Sequence, residues 1–187
     1  MTLRTEAADS EFKFDVAISF QGTDESLAAE IADLLQDRFR TFSYSKRQDI
    51  LAGIDGEERF GEVFSAEARI VIVLCRLEWG QTPFTRVEET AIRNRAFNEG
   101  YDFSLFVPTT DPPFTPKWLP RTRLYFGLPR FGVTGLASVV ERLIEERGGT
   151  PRPESVDDRA ARFQRAEAFR LARERFNKSH EGSNCLA

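Results

Sequence analysis

The segment "TPFTRVEETAIRNRAF", residues 82–97, places two adjacent carboxylates, Glu88 and Glu89, near the start of an amphipathic helix. A carboxylate held at a cleft can move a proton or stabilise a developing positive charge. Adjacent helical residues point roughly 100° apart, so one of the pair can face a cleft while the other meets solvent. Glutamate in the first turns of a helix also has a plainer use, complementing the helix dipole or forming a surface ion pair. Taken alone, the spacing favours that plainer use.

The other reactive side chains exclude several chemistries. The single histidine, His180, lies in the C-terminal tail, so no Ser-His-Asp or Cys-His relay is at hand. Cys75 ends an apolar run and Cys185 lies in a polar tail, which argues against a disulfide or a metal site. Cys75 reads as a small buried hydrophobe. No phosphate-cradling G-x-x-x-x-G-K-[ST] occurs, and "GIDGEERFG" has the wrong spacing for a dinucleotide fingerprint.

The formal net charge of -4, with both signs interspersed, leaves no basic field for nucleic acid. "MTLRTEAADSEFKF" lacks the apolar stretch of a signal peptide, and no run is long enough to span a membrane. A cytoplasmic location is expected.

The elements that must position Glu88 alternate between strand and helix. "FDVAISF" (14–20), "RTFSY" (40–44), "RIVIVLC" (69–75), "FSLFVPTT" (103–110) and "RLYFGL" (123–128) read as strands. "ESLAAEIADLLQDRF", "GEERFGEVFSAEA", the segment bearing Glu88 and "GLASVVERLIEER" read as helices. Asp24 is placed to cap the first helix, and Pro83 to open the third. The order predicts an α/β fold, an open parallel sheet of about five strands with helices on both faces.

Ligands of such sheets bind at the carboxyl ends of the strands. The loops that matter are therefore "QGTD", "SKRQDILAGID" and "RLEWGQTP". "TDPPFTPKWLPRT" is a long proline-rich loop of the kind that forms lids or binding elements. Residues 12–147 are read as the domain, 148–158 as a linker and 159–187 as a charged amphipathic helix and tail. Phe163, Ala166, Phe169, Ala172 and Phe176 give that helix one apolar stripe. It must cover something: its own domain, a twin helix or a further partner.

Read together, the loops resemble the TIR (Toll/interleukin-1 receptor) domain family. "FDVAISFQGTD" is similar to the family's first strand and loop, and "RQDILAGID" to its BB loop, with Asp49 and Gly53 at matching places. "ARIVIVLCRLEWGQTPFTRVEE" resembles the family's aromatic-x-x-Ser-x-Trp-x-x-x-Glu, with Trp79 as the aromatic and Glu88 as the glutamate. Thr82 replaces the serine and Phe84 the tryptophan.

The resemblance implies a flavodoxin-like fold and an NAD+ nucleosidase that releases nicotinamide and ADP-ribose or a cyclic isomer. It implies a role in bacterial defence against phage or in signalling. NAD+ is then a substrate, with no separate cofactor and no metal. Glu88 becomes the catalytic residue, expected on a helix surface facing a cleft, and Glu89 a solvated neighbour. Phe20, Gln21, Gly22 and Asp24 of the first loop, Ser45 and Arg47 of the BB loop, and Trp79, Thr82 and Phe84 are expected to bind substrate. Trp79 would supply a stacking face, the "QGTD" amides a phosphate site, and Lys46 with Arg47 charge for the pyrophosphate.

The family also implies self-association through the BB loop, around Asp49 and Gly53. Two other readings share the architecture. One is a non-catalytic adaptor acting by homotypic association. The other is a phosphoacceptor or nucleotide-binding domain, which needs an acidic cluster after the first strand where only Asp24 stands.

Overall fold

A computed structural model of the chain describes residues 12–44 and 56–181, with side chains as far as Arg175. The expectations at Ser45, Lys46, Arg47, Asp49 and Gly53 lie outside the described residues. So do those at the His180 side chain and at Cys185.

The described chain runs β1 (Phe14–Ser19), α1 (Glu25–Leu35), β2 (Thr41–Phe42), α2 (Gly56–Glu62), β3 (Ala68–Cys75), α3 (Pro83–Glu99), β4 (Ser104–Pro108), α4 (Leu128–Glu146) and α5 (Val156–Glu181). A 3-10 turn, Gly22–Asp24, precedes α1, and a π turn, Val63–Glu67, extends α2. The four strands form one parallel sheet in the order β2-β1-β3-β4. This is an α/β, flavodoxin-like open sheet.

Strand periodicity divides the core between two faces. Val16, Ile18, Ile70, Ile72, Leu74 and Val107 pack with α1 and α4. Ala17, Val71, Val73, Cys75 and Phe106 meet α2, the π turn and α3 on the other side. Both faces are covered, which is why the strands read as unbroken apolar runs. Cys75 lies in this core, and burial pushes its thiol up to about 12, so it is an inert packing group.

Among the described residues the expected fifth strand does not form. In "RLYFGL" one amide, that of Phe126, donates to Phe106 O of β4 (2.8 Å). Leu124 is 86% exposed and Tyr125 is also exposed, so the segment lacks the burial that holds β1 and β3. Pro129 then sits in the first turn of α4. No described helix is long and apolar enough to cross a membrane.

The last helix docks back on its own domain. It starts at Val156, three residues before the expected 159, where Ser155 and Asp158 cap each other. Of the expected stripe, Ala166 is buried, Phe163 half-buried, and Phe169 and Ala172 exposed. Charge does more of the holding. Arg162 is buried, donates to Leu34 O (2.8 Å) at the end of α1, and meets Glu141 and both oxygens of Glu154.

Candidate functional site

The sheet order changes direction between β1 and β3, the place where open α/β sheets bind ligands. The chain leaving β3 turns into α3 there, and its entry is well specified. Thr82 and Thr85 form a reciprocal cap, and Pro83 occupies the first turn. The far end of α3 is anchored by buried Arg95, which donates to Ala68 O (2.7 Å) and lies 4.0 Å over the Phe103 ring.

Between those anchors Thr85, Glu88, Ile92, Arg95 and Ala96 form the inward stripe of α3. Glu88 therefore lies against the sheet, 5% exposed, and not on the helix surface as expected. Helical spacing from Thr85 and to Ile92 forces that orientation.

Glu88 Oε2 accepts a hydrogen bond from Ser19 Oγ at 2.6 Å. Ser19 Oγ in turn accepts from Trp79 Nε1 at 2.9 Å. Three elements thus converge on one carboxylate: the end of β1, the β3–α3 loop and α3. Burial pushes the Glu88 carboxyl up to about 8, against the opposing pull of the Ser19 bond. At neutral pH burial therefore favours the protonated form of Glu88.

Ser19→Ala removes the donor to Glu88 and the acceptor of Trp79 at once. The expected cost is about 1–3 kcal/mol of stability from the unpaired indole N–H. The Glu88 pKa should rise further, because the Ser19 bond is the influence that lowers it. Carboxyl-carbon NMR titration measures this directly. A pKa unchanged or lower in the variant would contradict the arrangement.

Glu88 opens on a cavity of about 210 Å³ lined also by Phe20, Gly22, Glu25, Tyr44, Phe60, Thr82, Phe84 and Thr85. Three wider hollows lie elsewhere on the described surface: one of about 310 Å³ beside Glu154 and Arg165, where Arg162 holds the Glu154 carboxyl below its ordinary value, and two of about 660 and 640 Å³. Of the latter two, one borders Lys13, Arg40 and Arg152, the other Glu89, Phe97 and Trp118. None of the three is lined by a buried carboxylate with a raised pKa, so the cavity at Glu88 is the stronger candidate for chemistry.

Of the expected site residues, Phe20, Gly22, Thr82, Phe84 and Glu88 meet at this cavity. Trp79 corrects an expectation: its indole is 4% exposed and does not line the cavity, so it offers no stacking face. Its part is to hold Ser19. Gln21 also turns away from the cavity, its side-chain oxygen accepting from Thr23 N (2.8 Å) to cap the 3-10 turn.

Asp24 sits at the N-cap position of α1, but its side chain makes no capping hydrogen bond. It is buried and takes a two-pronged hydrogen bond from Arg76 (2.7 and 2.6 Å) and one from Thr109 Oγ1 (3.2 Å). That cluster ties together the loops leaving β1, β3 and β4. Glu89 is half-buried, not solvated, and accepts from Trp118 Nε1 (2.5 Å), fastening the proline-rich loop to α3.

Ser19, Glu25, Tyr44, Phe60 and Thr85 were not expected at the site. Ser19 and Thr85 carried a signal, since strand alternation puts Ser19 on the face of Ala17, and helical spacing puts Thr85 beside Glu88. Glu25 looks in sequence like any acid in a first helical turn. Tyr44 and Phe60 flank residues 45–55, and nothing local marks them as neighbours across the cavity. Among the described residues no group of three His, Cys, Asp or Glu is placed to hold a metal ion.

The sequence matches no protein-family model and no curated protein.

Proposed function

We propose that the protein is a TIR-type enzyme that cleaves the nicotinamide–ribose bond of NAD+, with Glu88 as its catalytic residue. The observation that carries this reading is a carboxylate buried at the sheet's switch point, held by Ser19 and Trp79, on an aromatic-walled cavity. The role in bacterial defence or signalling follows from the same family likeness.

The chemistry asks little of the protein. The bond from ribose C1′ to the pyridinium nitrogen breaks with both electrons going to nitrogen. Nicotinamide leaves neutral, and no general acid is needed. The sugar passes through an oxocarbenium-like state, which a nearby carboxylate stabilises. Water then adds to C1′ and loses a proton to give ADP-ribose, or a nucleophilic atom of the adenine nucleotide adds to give a cyclic isomer.

Glu88 must be ionised to act, while burial favours its protonated form. A bound cation favours the carboxylate and draws its pKa down, so substrate binding itself prepares the catalyst. The cavity is smaller than the about 300–1,000 Å³ typical of complete ligand pockets. It suits the nicotinamide-ribose half, with the adenine nucleotide lying outside towards Gly22. Association through the segment around Asp49 and Gly53 would complete the site from a second copy.

The adaptor reading has its own support in apolar surface. Phe97 is 90% exposed, and Leu124, Tyr125 and Phe131 are exposed around the start of α4. The readings part on one assay, in which the full chain at high concentration is incubated with NAD+ and nicotinamide is quantified. Release above the uncatalysed rate is expected. Its absence across the concentration range favours the adaptor.

A further inference from the structure

The cavity at Glu88 has a second carboxylate on its rim. Glu25, the first residue of α1, lines it together with Glu88, and the described lining contains no basic side chain. The helix dipole accounts for an acid in a first turn, but not for its opening on this cavity. Glu88 adds an independent pointer to a ligand. It is buried, and while Oε2 takes the Ser19 hydrogen bond, Oε1 has no hydrogen-bond partner among the described residues.

The remaining walls are aromatic. The Tyr44 and Phe60 rings lie 5.6 Å apart, and Phe60 meets Phe84 edge-on at 5.8 Å. Phe20 lines the cavity as well. Aromatic faces and carboxylates both attract cations, and aromatic faces pack well on flat rings. A neutral ring of the same shape gains the stacking alone.

Resting on the function proposed above, we infer that Glu25 is a specificity-determining residue that makes the cavity select positively charged flat rings over neutral ones. The substrate class is then N-glycosides of a cationic base. The reduced dinucleotide, whose ring is uncharged, is rejected on charge and not on shape.

The test uses two probes that differ by one charge, nicotinamide and its ring-N-methylated cation. Their affinities for the full chain are measured by titration calorimetry at about pH 8.5, where much of Glu88 carries charge. The cation is expected to bind about tenfold more tightly than nicotinamide. Glu25→Gln should shrink that preference about three- to tenfold by weakening the cation alone. Glu25→Asp, which keeps the charge, should retain most of it.

A purely structural Glu25 would shift both probes together, which would overturn the inference. So would equal affinities in the wild type, an undiminished preference in Glu25→Gln, or binding of neither probe. Failure of the function reading looks different. A cation preference that depends on Glu25, in a protein that releases no nicotinamide from NAD+, keeps the selective site and removes the reaction. Cleavage of NAD+ without a cation preference does the reverse.

Discussion

Glu88→Gln is expected to abolish nicotinamide release and, above neutral pH, to make the protein more stable to heat. Both effects come from one buried charge. The wild-type carboxyl titrates at about 8 in the folded state, against an ordinary value of 4.5. Between those values the folded protein holds a proton that the unfolded chain has lost. Stability therefore falls as pH rises through this window, by roughly 4–5 kcal/mol in all at about 1.4 kcal/mol per unit.

Glutamine keeps the shape and can still accept from Ser19, but it never ionises. The variant should match the wild type at about pH 5 and melt on the order of 10 °C higher at about pH 9. It cannot stabilise the oxocarbenium charge, so activity should fall about a thousandfold or more. Melting curves across pH and the release assay check the two halves separately. Parallel melting curves at every pH would show that Glu88 is not buried as described. Retained release, with Glu89→Gln inactive, would move the catalysis to the neighbouring acid.

Arg162→Ala is expected to release α5 from the domain. The guanidinium is buried between Glu141 and Glu154 and also satisfies Leu34 O, where α1 ends. Arg38 shares the same two acids, and further along α5 Arg173 reaches Glu30 at 2.6 Å. Removing Arg162 leaves Glu141 and Glu154 to Arg38 alone and one helix-end carbonyl uncovered. Breaking a buried pair in this way costs roughly 3 kcal/mol or more.

Local opening of α5 should then become about a hundredfold more frequent, visible as lost hydrogen-exchange protection and faster trypsin cleavage within the helix. Arg162→Lys keeps the charge but not the planar fork, and should recover only part of the protection. Unchanged protection in Arg162→Ala would mean that Ala166 and Phe163 hold the helix by packing. Deleting the chain beyond Gly148 should leave a folded domain with reduced solubility or turnover, since it uncovers the apolar flank of α1.

The sheet was legible because its strands are covered on both faces, so β1 and β3 had to be continuous apolar runs. "RLYFGL" has the same composition but pairs through one amide and leaves Leu124 in solvent. Composition records what a residue prefers, not whether the fold supplies a partner. The start of α3 was legible for a local reason, because Thr82 and Pro83 are specific entry residues.

Glu88 was legible as a candidate, but its burial was not read, although it shares the stripe of Thr85 and Ile92. The roles of Trp79 and Asp24 are not legible from single residues. Their partners, Ser19 and Arg76, are 60 and 52 positions away in sequence, and local spacing cannot bring them together. The same holds for Glu89, since Trp118 lies 29 residues on in the proline-rich loop.

The central claim is that one buried carboxylate performs the reaction. It is tested most directly by kcat/KM for nicotinamide release from NAD+, measured from about pH 5 to pH 9. The free enzyme governs this constant, so it should climb about tenfold per unit below the Glu88 pKa and level off above about 8. Glu88→Gln should show no such limb at any pH. A profile already flat from about pH 5 upward, or release that persists in Glu88→Gln, would contradict the account.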